Sequence, residues 1–494
     1  MYITDNETSE HLHFDVAIVG GGITGITTAF LLQKAGKKCI VLEANNIGFG
    51  TTGGTTAHLN TLLDTPYRDI IKDFSSNEAI LLKRAAVDAI GFIKSTVKEL
   101  NIDCGFEETN AYLFSQDESQ LKELQEIYEG CESVGLDTNY ADYIPVPISF
   151  NGAIEVKGHA KFHPLRYVYA LAKKYEETGG TIVQNARVVE CTEEKNGVLI
   201  KTEGSSYTAK SVIYATHIPP GINLLHLRCA PWRTYAMAVT LNNDNDYPQG
   251  LVYDLYDPYH YYRTQRIDGK NYLIVGGEDH KTAQVENTDS HFLRLESHIR
   301  KYFDVKEIAN RWSSQYFESA DGLPYIGHLP GAPENIYVAT GFGGNGMIYG
   351  TIAAHLLCCI IMGTKNEWQN LFAPSRIKPV AGFTNFMDHN LDVVKELVGK
   401  ILSKEKLNAL ADISPGEGKV VKFENQLIAI SKDSRGNIHA LNPLCTHMKC
   451  TVAWNLSEQS WDCPCHGARY SPTGKVLTGP ASKDLKLIVS GNKK

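Results

Sequence analysis

The sequence predicts an α/β domain of Rossmann type, an α+β region built on an antiparallel sheet, and a small all-β domain at the C-terminus. Three observations predict it. The run "FDVAIVGGGITG" (14–25) is an apolar strand that turns through glycines into an apolar helix. The run "LVYDLYDPYHYYRTQRI" (251–267) alternates aromatic and polar residues as a half-buried strand does. From about Ala411 onward only short strand-like runs follow one another. A chain of 494 residues has room for two or three such domains.

In chain order, Phe14 to Val19 predict a buried strand, and the helix "ITTAFLLQKAG" closes on Gly36. The strand "KCIVLE" completes a βαβ opening. From about Thr65 to Gly130 the pattern is helical and charged, as in an insertion. "VKGHAKFHPLRYVYALAKKYEETGG" (156–180) reads as a helix ending in Gly-Gly, followed by strands in "TIVQNARVVECT", "GVLIKTEG" and "SVIYATH". Residues from about Pro231 to Glu278 predict the antiparallel sheet. "NIYVAT" then runs into "GFGGNGM" and a helix to about Met362. The Pro-containing stretch "FAPSRIKPVAGF" predicts a boundary, and "DHNLDVVKELVGKILSKEKL" (388–407) a connector helix.

The expected division is therefore residues 1–375, a linker helix over 376–410, and the small domain over 411–494. Within the first, the α/β domain is expected from about 14–64, 155–225 and 311–372, and the α+β region from about 65–154 and 226–310.

Charge excludes some partners. A net charge of −8 and the lack of any Lys/Arg block leave no footprint for nucleic acid or anionic lipid, so small molecules and proteins are the expected partners. The opening residues lack the basic flank and apolar core of a secretory signal. The apolar run "TIAAHLLCCIIMG" is too short to span a bilayer and contains His355, so no transmembrane segment is expected, and the location read from the sequence is cytoplasmic. Seven of the eleven cysteines are scattered without a pairing pattern. Cys445, Cys450, Cys463 and Cys465 crowd with two histidines into one short segment, unlike a secreted disulfide scaffold.

Gly20, Gly22 and Gly25 form G-x-G-x-x-G between the first strand and the first helix, and Glu43 follows eighteen residues later at the end of the next strand. Gly20 allows a tight turn, Gly22 lets the backbone approach a pyrophosphate, and Gly25 permits close packing of the helix. Ile23 and Thr24 open the helix whose N-terminus attracts phosphate, and Glu43, beside Ala44, can bind ribose hydroxyls. This pattern fits FAD and NAD equally.

The segments that follow separate the two. "GFGTTGGTTAHL" (48–59), "VKGHAKFHPLRYVYALAKKYEETGGTIVQNARVVE", "SVIYATH", "DGLPYIG" (321–327) and "IYVATGFGGNGMIYG" occur in the order and spacing that resemble the D-amino acid oxidase-like or glycine oxidase-like family of FAD enzymes, over about residues 14–372. The resemblance implies an extended FAD with its pyrophosphate on Gly20 to Gly25 and its adenosine ribose on Glu43. Thr51, Thr52, Thr56 and Ala57 match the segment beside the flavin, and Val188 a position whose backbone meets adenine. Gly343, Gly344, Asn345, Gly346 and Met347 match the turn near the isoalloxazine ring. A helix starting near Gly346 would also favour negative charge on reduced flavin. His58 stands near a covalent flavin position of some relatives, in a register that does not match, and reads as a core histidine.

Such enzymes move a hydride from a carbon beside nitrogen to the flavin and need little acid–base machinery. Tyr253, Tyr262 and Arg263 are the candidate substrate-facing residues, although each also fits an amphipathic sheet face. In the glycine oxidase-like pattern an arginine a few residues before "DGLP" clamps the substrate carboxylate. Counting back from Asp321 places Tyr316 there. A tyrosine cannot make that bidentate contact, which favours an amine or an amino acid held differently.

"CTHMKC" (445–450) and "CPCHGARY" (463–470) supply one Cys and one His each: Cys445 with His447, and Cys463 with His466. Such a set can bind zinc, but zinc fingers pair Cys with Cys and His with His. One of each per loop resembles the Rieske family, in which the two Cys hold one iron of a [2Fe–2S] cluster and the two His the other. The pattern spans about residues 411–490 and includes Gly479-Pro480, similar to the family's proline loop. The resemblance further implies a disulfide between Cys450 and Cys465, and a hydrogen bond from Tyr470 to a ligand sulfur. Ala468 stands where high-potential members carry a serine that donates to a bridging sulfide.

The two halves together predict FAD-dependent oxidation of a small-molecule amine or amino-acid-like substrate. Electrons would pass singly to the cluster, whose tip histidines are the expected port, and on to an acceptor protein or quinone. A direct O₂-reducing oxidase with a structural or redox-sensing Rieske module is the rival. A Rieske oxygenase is disfavoured because too little chain follows Cys465 for its iron site, and a pyridine-nucleotide reductase because residues 180–220 hold no second G-x-G-x-x-G. A non-enzymatic electron carrier would not need the middle region.

Overall fold

The computed structural model describes residues 13–376, 413–423 and 426–488; the connector helix predicted over 388–407 lies outside them. The strand His13–Val19 is almost wholly buried, as its run of aliphatic residues demands, and sits in the middle of an eight-stranded sheet. It pairs in parallel with Cys39–Leu42 on one side and Ser206–Tyr214 on the other. Thr181–Val183 and Ile336–Thr340 extend the parallel part outward, and Tyr325–His328 closes one edge antiparallel. The chain therefore leaves its first strand at a switch point, where neighbouring strands diverge and a crevice opens at their carboxyl ends.

The second sheet has nine strands. Val305–Ser319, Cys229–Leu241, Lys270–Lys281, His260–Ile267 and Leu251–Asp254 run antiparallel in that order, and Leu251–Asp254 then pairs in parallel with Glu107–Ser115. That last strand lies inside the stretch expected to be helical. "ETNAYLFS" carries the alternation of a strand between the helices Ser76–Glu99 and Leu121–Ser133. The helix expected from Val156 likewise starts later. Gly152–Lys161 is a strand of this sheet, and the helix spans Pro164–Glu177, with proline in its first turn and the His163 ring accepting from the Arg166 N–H.

One face of the nine-stranded sheet packs on the helix Asp289–Tyr302 through Phe292, Leu295 and Ile299, against Tyr235, Met237, Tyr262 and Val275. The opposite face looks toward the first sheet. The small domain consists of a three-stranded sheet (Gly418–Phe423, Gln426–Lys432, Ile438–Leu441) and a four-stranded one (Ala453–Asn455, Ser460–Asp462, Arg469–Tyr470, Val476–Thr478), joined over a core that includes Trp461, Tyr470 and Leu441.

Candidate active site

A single cavity of about 1360 Å³ runs from the glycine turn, between the two large sheets, to residues 477–482 of the small domain. At one end the backbone is drawn tight. Gly20 has φ +110, and a Cβ there would lie 2.4 Å from the Ala215 carbonyl oxygen; a Cβ on Gly22 would meet Thr52 Oγ1 at 2.9 Å. Gly25 does not line the cavity. A Cβ on it would sit 1.9 Å from the Gly20 oxygen, so this glycine lets the helix cross the turn. Glu43 accepts from the backbone N–H of Gly21 at 2.6 Å and of Asn45 at 2.8 Å, which orients its carboxylate beside the turn.

Gly20, Gly22, Ile23, Thr24, Glu43, Ala44, Thr51, Thr52, Thr56 and Val188 all line the cavity, as do Gly343 to Met347. Ala57 is buried behind the wall with φ +54. Thr51 Oγ1 donates to the Gln315 carbonyl, and the Ile23 N–H to Thr52 Oγ1 at 3.0 Å. The helix Gly346–Met362 points its N-terminus at the cavity, and the turn before it is tied down by Asp64. The Gly344 N–H donates to Asp64 Oδ2 at 2.5 Å, and the Asp64 N–H to Asn345 Oδ1 at 2.8 Å. A glycine-crowded cleft closed by two helix N-termini and an acid at the second strand is a cradle of the size and donor pattern that FAD requires.

The other end of the cavity is walled by the nine-stranded sheet. Tyr253 and Arg263 face it; Tyr262 does not. With a side-chain period of two, Tyr262 points to the helix side, where its hydroxyl meets His298 Nε2 at 2.5 Å, and its neighbour Tyr261 occupies the cavity wall instead. Tyr253 OH is bonded to His58 Nδ1 at 2.7 Å and accepts from Asn60 Nδ2 at 2.9 Å. Burial pushes the His58 imidazole well below its ordinary range, so it stands neutral beside the tyrosine. Arg263 is held by the carbonyl oxygens of Thr56 and Phe162 and by Gln265 Oε1.

A β-bulge decides the rest. Tyr235 pairs with Gly277 and Arg233 with His280, so Glu278 and Asp279 together oppose Thr234. Gly277 at φ +142 and Glu278 at φ +59 take up the kink. Glu278 is thereby sent to the helix side, to Arg294 Nε at 2.6 Å, and Asp279 enters the cavity, where Tyr316 OH donates to its Oδ2 at 2.9 Å. Asp64, Asp279, Glu318, Tyr259 and Tyr261 were not among the candidates read from the sequence. Tyr259 and Tyr261 belong to the aromatic run at 251–267, whereas the three acids carried no signal there.

In the small domain the two loops bring their ligating side chains together. Cys445 and Cys463 are buried free thiols, and Tyr470 OH lies 3.1 Å from Cys445 Sγ. The imidazoles of His447 and His466 meet edge to face with centroids 5.0 Å apart, and the Nδ1 of each is buried without a hydrogen-bond partner. Two orphaned ring nitrogens beside two free thiols fit a metal cluster's donor set, since such atoms are costly to bury unpaired. Cys450 and Cys465 are joined by a disulfide across the two loops, with Cα atoms 6.4 Å apart.

Comparison with known proteins gives the same two parts. Residues 15–360 match the model of the FAD dependent oxidoreductase family, and residues 404–488 that of the Rieske [2Fe-2S] domain. The chain is 33% identical over 481 residues to the Bacillus subtilis (strain 168) protein YhfW, named as a Rieske 2Fe-2S iron-sulfur protein, covering 97% of this chain and 94% of that one. It is 25% identical over 376 residues to gamma-glutamylputrescine oxidoreductase of Escherichia coli (strain K12), covering 73% and 87%. The structure of glycine oxidase from Geobacillus kaustophilus superposes with a TM-score of 0.63 at 19% identity, over 74% of this chain and 99% of that one. A cradle for FAD, a thiol and imidazole set for a two-iron cluster, and these matches agree: the chain belongs to the FAD dependent oxidoreductase family and carries a Rieske [2Fe-2S] domain at its C-terminal end.

Proposed function

We propose that this enzyme oxidises an amine or amino-acid-like substrate in the cavity and passes the electrons, one at a time, to the cluster of the same chain and from there to an acceptor protein or quinone. When bound, FAD supplies the hydride acceptor and the [2Fe–2S] cluster a one-electron carrier. Gly20, Gly22, Thr24, Glu43, Thr51, Thr52 and Gly343 to Met347 would hold the FAD; Cys445, Cys463, His447 and His466 would hold the cluster.

One segment carries the reading, because it touches both sites. Thr216, His217, Ile218 and Pro220 line the cavity, and the next residue, Gly221, accepts a hydrogen bond from His447 Nε2 at 2.9 Å. Five residues on, His226 packs its ring against His447 at 4.6 Å and His466 at 5.3 Å between centroids. It is fixed there by its Nε2–H to the Pro219 carbonyl and by the Asn223 N–H to its Nδ1. The tip that a free Rieske domain would show to a partner is thus covered by the oxidoreductase part of this chain. Amine chemistry is supported by the family and by the relative named for a putrescine conjugate.

The test is anaerobic addition of an amine substrate followed by freeze-quench EPR. A reduced-cluster signal that grows as the flavin bleaches, at a rate independent of protein concentration, is expected. Bleaching with no cluster signal would overturn the reading in favour of a direct O₂-reducing oxidase.

A further inference from the structure

Away from the glycine turn, the cavity wall is acidic and aromatic. Asp64, Asp279 and Glu318 line it together with Tyr253, Tyr259, Tyr261 and Tyr316. The cations that reach the same cavity are already engaged. Arg263 is bonded as described, Arg187 donates to the carbonyls of Val476 and Leu477, and Arg469 is paired with Asp462 and Glu458. Lys281, whose charge is felt by Glu318, does not line the cavity. The histidines that do, His58, His163 and His217, are pushed below their ordinary range by burial and stand neutral.

A substrate carboxylate would therefore meet three acids, whereas the donors of Arg187 and Arg263 are spent on carbonyl oxygens and Gln265, and Arg469 is matched by its own acids. Tyr316 spends its hydroxyl hydrogen on Asp279 Oδ2. Asp279 Oδ1 is left buried with no partner. Burial also raises Asp279 and Glu318 to about 7 and Asp64 to about 6, outweighing the hydrogen bonds that lower Asp279 and Asp64 and the Lys281 charge that lowers Glu318, so the three acids together lack a matching counter-charge. An ammonium supplies that charge, and tyrosine faces receive a cation and an alkyl stem equally well.

We infer that the substrate is a cationic amine without an α-carboxylate, its ammonium held by Asp279 and Glu318 and its alkyl stem laid against Tyr253, Tyr259 and Tyr261. This rests on the amine-oxidising reading above and narrows it. Discrimination arises because a buried acid that gains a hydrogen-bonded cation is stabilised, whereas the same pocket holding a second anion leaves like charges desolvated together.

Matched pairs differing only by the carboxylate test it: pentylamine against norleucine, and 1,4-diaminobutane against ornithine, titrated anaerobically into the holoenzyme. Perturbation of the oxidised flavin spectrum reads binding, and bleaching reads turnover. The carboxylate-free member of each pair is expected to bind roughly ten- to hundredfold tighter, with that advantage lost in Asp279→Asn and Glu318→Gln at unchanged flavin content. Equal or tighter binding of the amino acids, or variants that keep the preference, would overturn the inference while leaving the flavin-to-cluster route intact. If neither member of either pair binds or bleaches, the inference fails. The route fails separately, when the flavin bleaches and no cluster signal appears.

Discussion

Gln315 donates its side-chain amide to the carbonyl oxygen of Gly467 at 2.9 Å, and its own backbone carbonyl accepts from Thr51 in the flavin cradle. A buried glutamine thus links the strand behind the cavity to the loop that carries Cys463 and His466. Gly467 fits there only as glycine: φ is +70, and a Cβ would stand 2.6 Å from Gln315 Nε2, 2.9 Å from Pro231 Cβ and 3.0 Å from Phe317 Cζ.

Gly467→Ala is therefore expected to cost about 1–3 kcal/mol, from left-handed backbone strain and the enforced separation of the two surfaces. Thermal unfolding reads the loss, and stopped-flow absorbance should show cluster reduction slowing while flavin bleaching by substrate is retained. A variant with wild-type transfer would show that this contact is not needed for the path.

The interface also holds a charge cluster. Arg233 is fully buried, with Asp462 at 3.8 Å and Glu458 at 3.5 Å, and Arg469 shares both acids. Burial works against the ionised Asp462 carboxyl, but Arg469 and Arg233 together hold it below the usual range. Asp462→Ala is expected to destabilise by about 3–5 kcal/mol, because it leaves two buried guanidiniums with one acid. Denaturant unfolding followed by tryptophan fluorescence measures it; a loss below about 1 kcal/mol would show that the cluster is hydrated.

Ala468 is fully buried in the second ligand loop, where its carbonyl accepts from the Cys463 N–H at 2.8 Å. It offers no hydroxyl, so the wild type should lie below the upper end of the Rieske range, which runs to roughly +300 mV. Ala468→Ser is expected to raise the cluster's midpoint potential by adding a donor that favours the electron-rich state. Potentiometry on both proteins decides it, an unchanged or lower value in the variant counting against the assignment.

On the helix side of the nine-stranded sheet, His260 donates to Asp254 Oδ2 at 2.9 Å, has Glu278 at 3.7 Å, and stacks on His298 at 3.8 Å. Burial disfavours the imidazolium, but the hydrogen bond to Asp254 and the nearby Glu278 carboxylate outweigh it and hold the group up at about 9. A raised folded-state value means stability is fully present below the unfolded value of about 6.5 and is lost as pH rises through about 9. That shift corresponds to a term on the order of 3 kcal/mol. Unfolding free energy measured from pH 6 to 10 should fall across that window, and His260→Gln should flatten the fall.

Local chemistry was legible in the sequence. The glycine turn, Glu43 and the Cys-x-His and Cys-x-x-His loops each depend on residues a few positions apart or on spacing that strands preserve, and the Cys450–Cys465 pair followed from the resemblance those loops carry. Where a side chain's direction depended on strand register, or on which face of the sheet met the cavity, the sequence was silent. Tyr261 and Tyr262 are adjacent and chemically alike, and the register of His260–Ile267 against Lys270–Lys281 puts one in the cavity and the other on the helix. Glu278 and Asp279 are also adjacent acids, and the bulge opposite Thr234 sends them to opposite faces.

By itself the sequence determined a dinucleotide-binding turn, a set of two Cys and two His and the order of the domains, because those are short-range patterns with a fixed physical meaning; the flavin and the two-iron cluster followed from the family resemblances those patterns carry. The tertiary structure alone decided which acids line the cavity, and that Gly221 and His226 lie against His447 and His466. Both result from long-range packing, in which the period of a strand, a single bulge and the docking of two surfaces set where each side chain ends.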